Sequence, residues 1–204
     1  MGDSLSGNKK GWTAVLQMSH SGAAGNTKVQ ETARRERFEQ TVLPHLDAAY
    51  NLARWLTRSD QDAQDVTQEA FLRAFRFFDG YQGGNMRAWL LTIVRNTCYT
   101  WLHQNRAPGS DEVFDEEIHS AEFSGGASPE IQVLASADKE TLRRALEDLP
   151  DIFREVLVLR EIEGMSYKEI ADVASISIGT VMSRLARART RLRQSLGAAL
   201  GKES

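Results

Sequence analysis

Apolar residues of this chain recur at helical spacing in two separate blocks, residues 32–106 and residues 139–200. Neither block contains an alternation of apolar and polar residues long enough to predict a β-strand. The segment between them, 107–138, carries eight acidic side chains and no Lys or Arg, and Pro and Gly interrupt it repeatedly. Because such a segment cannot supply a core, we predict an all-α protein with two small helical domains joined by an acidic, flexible linker.

Composition excludes several classes of protein. No apolar run approaches the ~20 residues of a membrane helix, and the N-terminus lacks a signal-peptide core, so we expect a cytoplasmic protein without membrane insertion. The single cysteine, Cys98, excludes a disulfide framework and a zinc site built from cysteines. The four histidines are not spaced as metal ligands, and neither a phosphate-binding glycine loop nor a nucleophile motif occurs. We therefore expect no cofactor, no metal and no enzymatic activity.

The domain boundaries follow from these shifts in pattern. The first residues are rich in Gly, Ser and Asn and have no sustained periodicity, which is typical of a disordered tail. The predicted units are a disordered N-terminal tail 1–31, an N-terminal domain 32–106, an acidic linker 107–138 and a C-terminal domain 139–204.

In the C-terminal block, the pattern predicts a longer helix that is followed in the chain by a short, capped helix. Ser166 and Glu169 have the capping-box spacing, and the helix they begin has room for about eight residues before the turn 175–177. The longer helix runs from Asp151 to about Glu163, and Gly164 ends it. Its expected buried stripe is Ile152, Val156, Leu159 and Ile162.

The last helix, from Ile178 to about Leu196, has two interleaved faces. Its apolar face is Val181, Leu185, Ala188 and Leu192. The helix contains five arginines and no acidic residue. Although the net charge of the whole chain is −3, this helix is therefore expected to form a basic surface. A short helix, a three-residue turn and a long basic helix are typical of a DNA-binding helix-turn-helix, whose second helix enters the major groove. The alternative is a solvated basic helix in an ordinary bundle. Ser175 stands where many such turns have Gly, and serine fits there at little cost unless its φ is positive.

The N-terminal block predicts three helices, from about Arg35 to Leu56, from Asp60 or Asp62 to about Phe78, and from Met86 to about Gln104. The second has a mixed-charge outer face, normally solvated, with Leu72 in its middle, where a protein contact would suit it. The third has a polar stripe consisting of Thr92, Asn96, Tyr99, His103 and Arg106. Aromatic and arginine side chains in such a stripe can bind strand-separated DNA, although the spacing leaves open whether Tyr99 faces DNA or the core.

These segments resemble a known family. Residues 62–74 look like the polymerase-docking helix of bacterial sigma factors, and residues 89–96 resemble the promoter-melting segment that follows it. The motifs at 149–156, 167–171 and 179–189 are similar to the family's DNA-reading domain. With two such blocks in the right order, the chain is identified as a member of the extracytoplasmic-function (ECF) group of the sigma-70 family.

The resemblance implies a sigma factor that binds core RNA polymerase and directs promoter-specific initiation. The implied partners are core polymerase, through its beta-prime clamp helices and beta flap, promoter DNA and an anti-sigma factor. The implied polymerase-binding residues are Asp62, Asp65, Gln68, Glu69, Leu72 and Arg73. Those implied at the −10 element, which the N-terminal domain would melt, are Gln82, Asn85, Met86, Arg95, Asn96, Tyr99, His103 and Arg106. Those implied to read the −35 element are Ser177, Thr180, Ser183, Arg184, Arg187 and Arg191. The acidic linker would thread toward the polymerase cleft.

Two other functions remain open on the residues alone. A conventional repressor or activator would use the same helix-turn-helix, normally as a dimer on a palindromic duplex. A helical adaptor that binds only protein would leave the five-arginine helix without a use. Core-polymerase binding, duplex binding by the isolated protein, and absence of any DNA affinity distinguish the three.

Overall fold

The computed structural model describes residues 25–105 and 139–200, with side chains for 29–105 and 139–198. The described residues form helices, turns and short loops without a β-strand, which confirms the predicted all-α fold. None of the helices in these two ranges is long and apolar enough to span a membrane. The predicted linker 107–138 lies outside the described residues.

The N-terminal group consists of α1 (Gly25–Val42), α2 (Leu46–Thr57), α3 (Asp60–Phe77) and α4 (Met86–Asn105). Helices α2, α3 and α4 pack against one another around a buried apolar core. Phe38 of α1 closes one end of this core, edge to face with Phe75 and Phe78 at ring-centroid distances of 5.1 and 5.2 Å.

The start of this group differs from the prediction in two ways. Helix α1 begins at Gly25, inside the segment assigned to a disordered tail. The helix expected over 35–56 is broken into α1 and α2 by a 3₁₀ turn, Leu43–His45. Pro44 explains the break, because its ring fixes φ and it has no N–H to continue an α-helical ladder.

The C-terminal group consists of α5 (Lys139–Glu147), α6 (Asp151–Leu157), a π-helical turn (Val158–Ile162), α7 (Tyr167–Ala174) and α8 (Ile178–Leu200). Helix α8 lies across α5, α6 and α7. The predicted apolar face of α8 is confirmed, since all four of its residues are buried: Val181, Leu185, Ala188 and Leu192.

The π-helical turn corrects one predicted core residue. Ile162 was expected on the buried stripe but is 45% exposed, whereas Glu163 is only 7% exposed. The N–H of Glu163 donates to the carbonyl of Val158, five residues back, at 3.0 Å. Such a turn holds an extra residue, which shifts the phase of every following position and replaces Ile162 by Glu163 on the inner side.

The helix-turn-helix forms as predicted, with one strained residue. Ser166 and Glu169 make the reciprocal capping box at the start of α7. Ser177 caps α8, its Oγ accepting the N–H of Thr180 at 3.0 Å. Ser175, however, is left-handed, with φ 55° and ψ 44°. The turn therefore places a serine in the conformation that favours glycine.

The two helical groups lie against each other. Helix α4 packs on α7, and α2 packs on α6. Their buried residues join into one continuous core cluster. This arrangement brings the polar stripe of α4 against the C-terminal group.

Candidate nucleic-acid and polymerase interfaces

The N-terminal end of α8, from its cap Ser177 to Ser183 in its second turn, presents three hydroxyl groups. The hydroxyls of Ser177 and Thr180 lie 2.9 Å apart, and the Ser183 hydroxyl donates to the Thr180 carbonyl at 3.0 Å. Ser177 and Ser183 are exposed, and Thr180 is half-buried. Hydroxyls at the N-terminal end of a helix can donate hydrogen bonds to phosphates. The partial positive charge of the helix dipole at this end also attracts a phosphate. The structure thus brings these three predicted residues together.

The predicted DNA-contacting arginines of α8 are partly covered by the rest of the C-terminal group. Arg184, Arg187 and Arg191 are each half-buried. The Arg191 guanidinium lies over the ring of Phe153, 4.9 Å from its centroid. Packing on Phe153 thus limits the directions open to the Arg191 side chain.

The predicted −10 residues of α4 fall into two sets, one exposed and one in contact with the C-terminal group. Asn96 and His103 are exposed, and Arg106 lies outside the described residues. Arg95 forms an ion pair with Glu155 of α6, and its guanidinium also lies 4.7 Å from the centroid of the Tyr99 ring. Tyr99 donates its hydroxyl proton to the other oxygen of Glu155 at 3.0 Å. Arg95 and Tyr99 thus lie at the contact between the two helical groups.

Burial controls the protonation of this cluster. It raises the pKa of Glu155, while the positive charge of Arg95 and the hydrogen bonds from Arg95 and Tyr99 oppose the rise. Burial, and secondarily the Glu155 charge, raises the pKa of Tyr99, so its phenol stays protonated and donates. Burial likewise raises the pKa of Cys98, whose thiol is an apolar core group and not a nucleophile.

The loop before α4 is positioned by local hydrogen bonds. Asn85 caps α4, its Oδ1 accepting the N–H of Ala88 at 3.1 Å, while its Nδ2 donates to Glu169 of α7. The Tyr81 ring packs against the Trp89 ring at a tilt of 53°, and its hydroxyl donates to the Gly84 carbonyl at 2.7 Å. The two other predicted residues differ in exposure, because Gln82 is exposed and Met86 is partly buried against the core.

The predicted polymerase-docking residues share the unburied side of α3. Ser59 caps this helix, its Oγ accepting the N–H of Asp62 at 3.3 Å. Glu69 and Arg73 form an i,i+4 ion pair at 2.8 Å. Exposure varies within the set: Asp65 is exposed, whereas Asp62, Gln68, Glu69, Leu72 and Arg73 are half-buried. The face thus combines a partly exposed leucine with surrounding charges.

Two fully buried charged residues were not identified from the sequence. Arg154 and Glu155 are both 0% exposed and adjacent on α6. Arg154 donates to the Leu149 carbonyl at 2.7 Å and to the Glu147 carbonyl at 2.9 Å, which ties the end of α5 to α6. The sequence did contain a signal, because Arg154 and Glu155 lie between the apolar residues Phe153 and Val156. Charged residues are normally buried only when they are paired, so this position indicates a charged pair with partners in the core.

Comparison with known proteins agrees with these features. The sequence model "Sigma-70 region 2" matches residues 41–107, and the model "Sigma-70, region 4" matches residues 139–192. The chain is 34% identical over 166 residues to the ECF RNA polymerase sigma factor SigE of Mycolicibacterium smegmatis, covering 81% of this chain and 64% of that protein. It is 39% identical over 135 residues to the ECF RNA polymerase sigma-E factor of Escherichia coli K12, covering 63% and 70%.

A solved structure is also similar. The sigma factor RpoE of Bartonella quintana, crystallised with the anti-sigma factor NepR, matches with a TM-score of 0.62 and 31% identity over 79% of this chain and 98% of that one. The match to the M. smegmatis relative spans less than two thirds of that protein's length. On the strength of both region matches and these relatives, the chain belongs to the ECF RNA polymerase sigma factors of the sigma-70 family.

Proposed function

We propose that this protein is a promoter-specificity subunit that binds core RNA polymerase and directs transcription initiation. Its N-terminal domain melts the −10 element and its helix-turn-helix reads the −35 element, while the polymerase carries out the chemistry. The observation that carries the proposal is the presence, in one chain, of region 2 and region 4 matches in that order. The functional units are 32–106 and 139–204, and the linker 107–138 threads toward the polymerase cleft.

The docking surface for polymerase is the outer face of α3. It consists of Asp62, Asp65, Gln68, Glu69, Leu72 and Arg73. An apolar side chain ringed by charges suits a protein contact, because its burial provides affinity and the charges provide orientation. The occupant is the beta-prime clamp-helix pair, and the C-terminal domain meets the beta flap.

The −10 surface combines the loop before α4 with the predicted polar stripe of that helix and its flanking arginines. It consists of Gln82, Asn85, Met86, Arg95, Asn96, Tyr99, His103 and Arg106. Aromatic and amide groups stack on and bond to unpaired bases, while arginines neutralise phosphates. The capping of α4 by Asn85 supports this role, since it orients the loop relative to the helix.

The −35 surface is the N-terminal end of α8 with its cap, together with the arginine row that follows. It consists of Ser177, Thr180, Ser183, Arg184, Arg187 and Arg191. Hydroxyls at the helix start suit phosphate and sugar contacts, and arginine suits the acceptor edge of guanine.

An anti-sigma factor is the remaining proposed partner. The B. quintana RpoE structure contains the anti-sigma factor NepR. This chain is similar to that protein over 79% of its own residues, which supports a partner of the same kind for this chain.

Equilibrium binding of the fluorescently labelled full chain to core polymerase tests the proposal. We expect Glu69→Lys to weaken binding at least tenfold, because it places a like charge beside Arg73 in the docking face. Glu36→Lys, the same change at an exposed position on α1, serves as the control and should bind as the wild type. Equal binding by both variants contradicts the docking face, and failure of the wild type to bind contradicts the function itself.

A further inference from the structure

Two exposed apolar side chains lie on α8 among the residues proposed for the −35 surface. Ile178 is 47% exposed and Met182 is 37% exposed. They are four positions apart, so their side chains are neighbours on one side of the helix. A single exposed apolar residue needs no explanation, whereas a neighbouring pair on a proposed binding surface points to a contact with the bound partner.

The folding of α8 does not account for this apolar pair. The buried face of the helix begins with Val181 and continues with Leu185. Ile176, the residue before the cap, packs against the core, and with Val181 it occupies the two positions of a hydrophobic staple. The apolar contacts that start α8 are therefore made by other residues, and Ile178 and Met182 are left at the surface.

The exposed surface at the start of α8 is uncharged. Over residues 178–186 the exposed positions are Ile178, Gly179, Met182 and Ser183, and the one charged residue, Arg184, is half-buried. In helix-turn-helix proteins the N-terminal residues of the second helix contact the base edges. The part of α8 that would reach the bases therefore offers two apolar side chains and a hydroxyl, while most of its arginines lie further along the helix.

Thymine is the base whose major-groove edge suits apolar side chains. It carries a C5-methyl group in the groove, which guanine, adenine and cytosine lack. Contact with this methyl group removes apolar surface of both partners from water. The flexible thioether chain of Met182 can adjust to the position of the methyl group, and the β-branched Ile178 holds its own side chain in few rotamers beside it.

We propose that Ile178 and Met182 determine part of the promoter specificity by packing against the C5-methyl group of thymine in the −35 element. This inference rests on the proposed function, in which α8 enters the major groove. The hydroxyls and arginines of the −35 surface supply contacts to phosphates and guanine, and the apolar pair adds a requirement for thymine. Because A·T and T·A pairs place the methyl group at different points of the groove, the pair also distinguishes the two strands.

Replacement of thymine by deoxyuridine tests the proposal, because it removes the methyl group and leaves base pairing unchanged. A −35 element is first selected from randomised duplex DNA with the full chain and core polymerase. Each thymine of that element is then replaced singly, and binding is measured by competition. We expect about fourfold weaker binding at one or two positions, the factor that corresponds to burial of one methyl group. This factor should not change with salt, since an apolar contact releases no counterions.

Matched variants assign the effect to the pair. Met182→Gln and Ile178→Gln should bind the thymine and deoxyuridine elements equally at the affected position, whereas the apolar Met182→Leu should keep the preference. Ile162→Gln makes the same change at another exposed apolar residue of the C-terminal group, outside α8, and should discriminate as the wild type does.

The possible failures are distinguishable. If no element is enriched, the proposed function is wrong and this inference falls with it. If an element is enriched but contains no thymine on either strand, or tolerates deoxyuridine at every position, the methyl contact alone is overturned. Full discrimination by both glutamine variants also overturns it, and weaker binding of those variants to core polymerase without DNA would then assign the pair to a protein contact.

Discussion

Ser175, the left-handed residue between α7 and α8, is the sharpest site for a stability prediction. A left-handed conformation costs an L-residue roughly 1–2 kcal/mol, whereas glycine adopts it freely. Glycine loses more backbone entropy on folding, about 0.5–1 kcal/mol relative to alanine. Ser175 is exposed, so its side chain contributes little packing. Ser175→Gly should therefore stabilise the protein by about 0.5–1 kcal/mol.

Urea unfolding of the full chain, followed by circular dichroism, measures this effect. The midpoint should rise without a change in slope, and thermal unfolding should shift upward by about 1–4 °C for a chain of this size. The backbone hydrogen bond from Ile176 to Ala171 remains available, so DNA binding by α8 should change less than about twofold.

Two matched substitutions define the refuting result. Ser183→Gly makes the same chemical change inside α8, where helix propensity predicts a loss of about 0.5 kcal/mol. Ser175→Ala keeps the left-handed strain and should give no gain. If Ser175→Gly is neutral or destabilising, or if Ser175→Ala stabilises equally, the explanation from backbone strain is wrong.

Three further predictions concern the C-terminal domain. Arg154→Leu should cost about 1–3 kcal/mol in urea unfolding, because it removes the donors to the Glu147 and Leu149 carbonyls, while Arg58 still donates to Leu149 and Asp151. Hydrogen bonds from the Ser166 hydroxyl and backbone N–H lower the pKa of Glu169. Its stabilisation of α7 should hold above about pH 4.3 and vanish as pH falls through the lowered folded pKa, and Glu169→Gln should remove that part of the pH dependence. If Arg184 reads a guanine, Arg184→Ala should weaken promoter binding by about 1–3 kcal/mol and relax sequence preference at one position, measured by binding to single-base promoter variants; uniform weakening across them would instead indicate a phosphate contact.

Features set by local sequence were predictable. The capping box of Ser166 and Glu169 and the buried face of α8 depend on residues three or four positions apart, which periodicity detects directly. The helix break at Pro44 was also encoded locally. The prediction missed it because the apolar residues keep their helical spacing on both sides of Pro44.

Features set by tertiary contacts were not predictable in this way. The π-helical turn that places Glu163 inside coincides with its ion pair to Arg87, 76 residues earlier in the chain. Arg95 and Glu155 are 60 residues apart, and Tyr99 and Glu155 are 56 apart. Spacing along one helix could therefore leave the role of Tyr99 open but could not identify its partner. The assignment of −10, −35 and polymerase contacts stays a prediction.

Promoter-dependent transcription tests the central proposal most directly. Core RNA polymerase is mixed with the full chain and a DNA pool in which candidate −35 and −10 segments are randomised, and the 5′ ends of the transcripts are sequenced. We expect defined start sites downstream of two enriched elements, with Arg184→Ala changing only the upstream element. Random starts identical to those of core polymerase alone would contradict it.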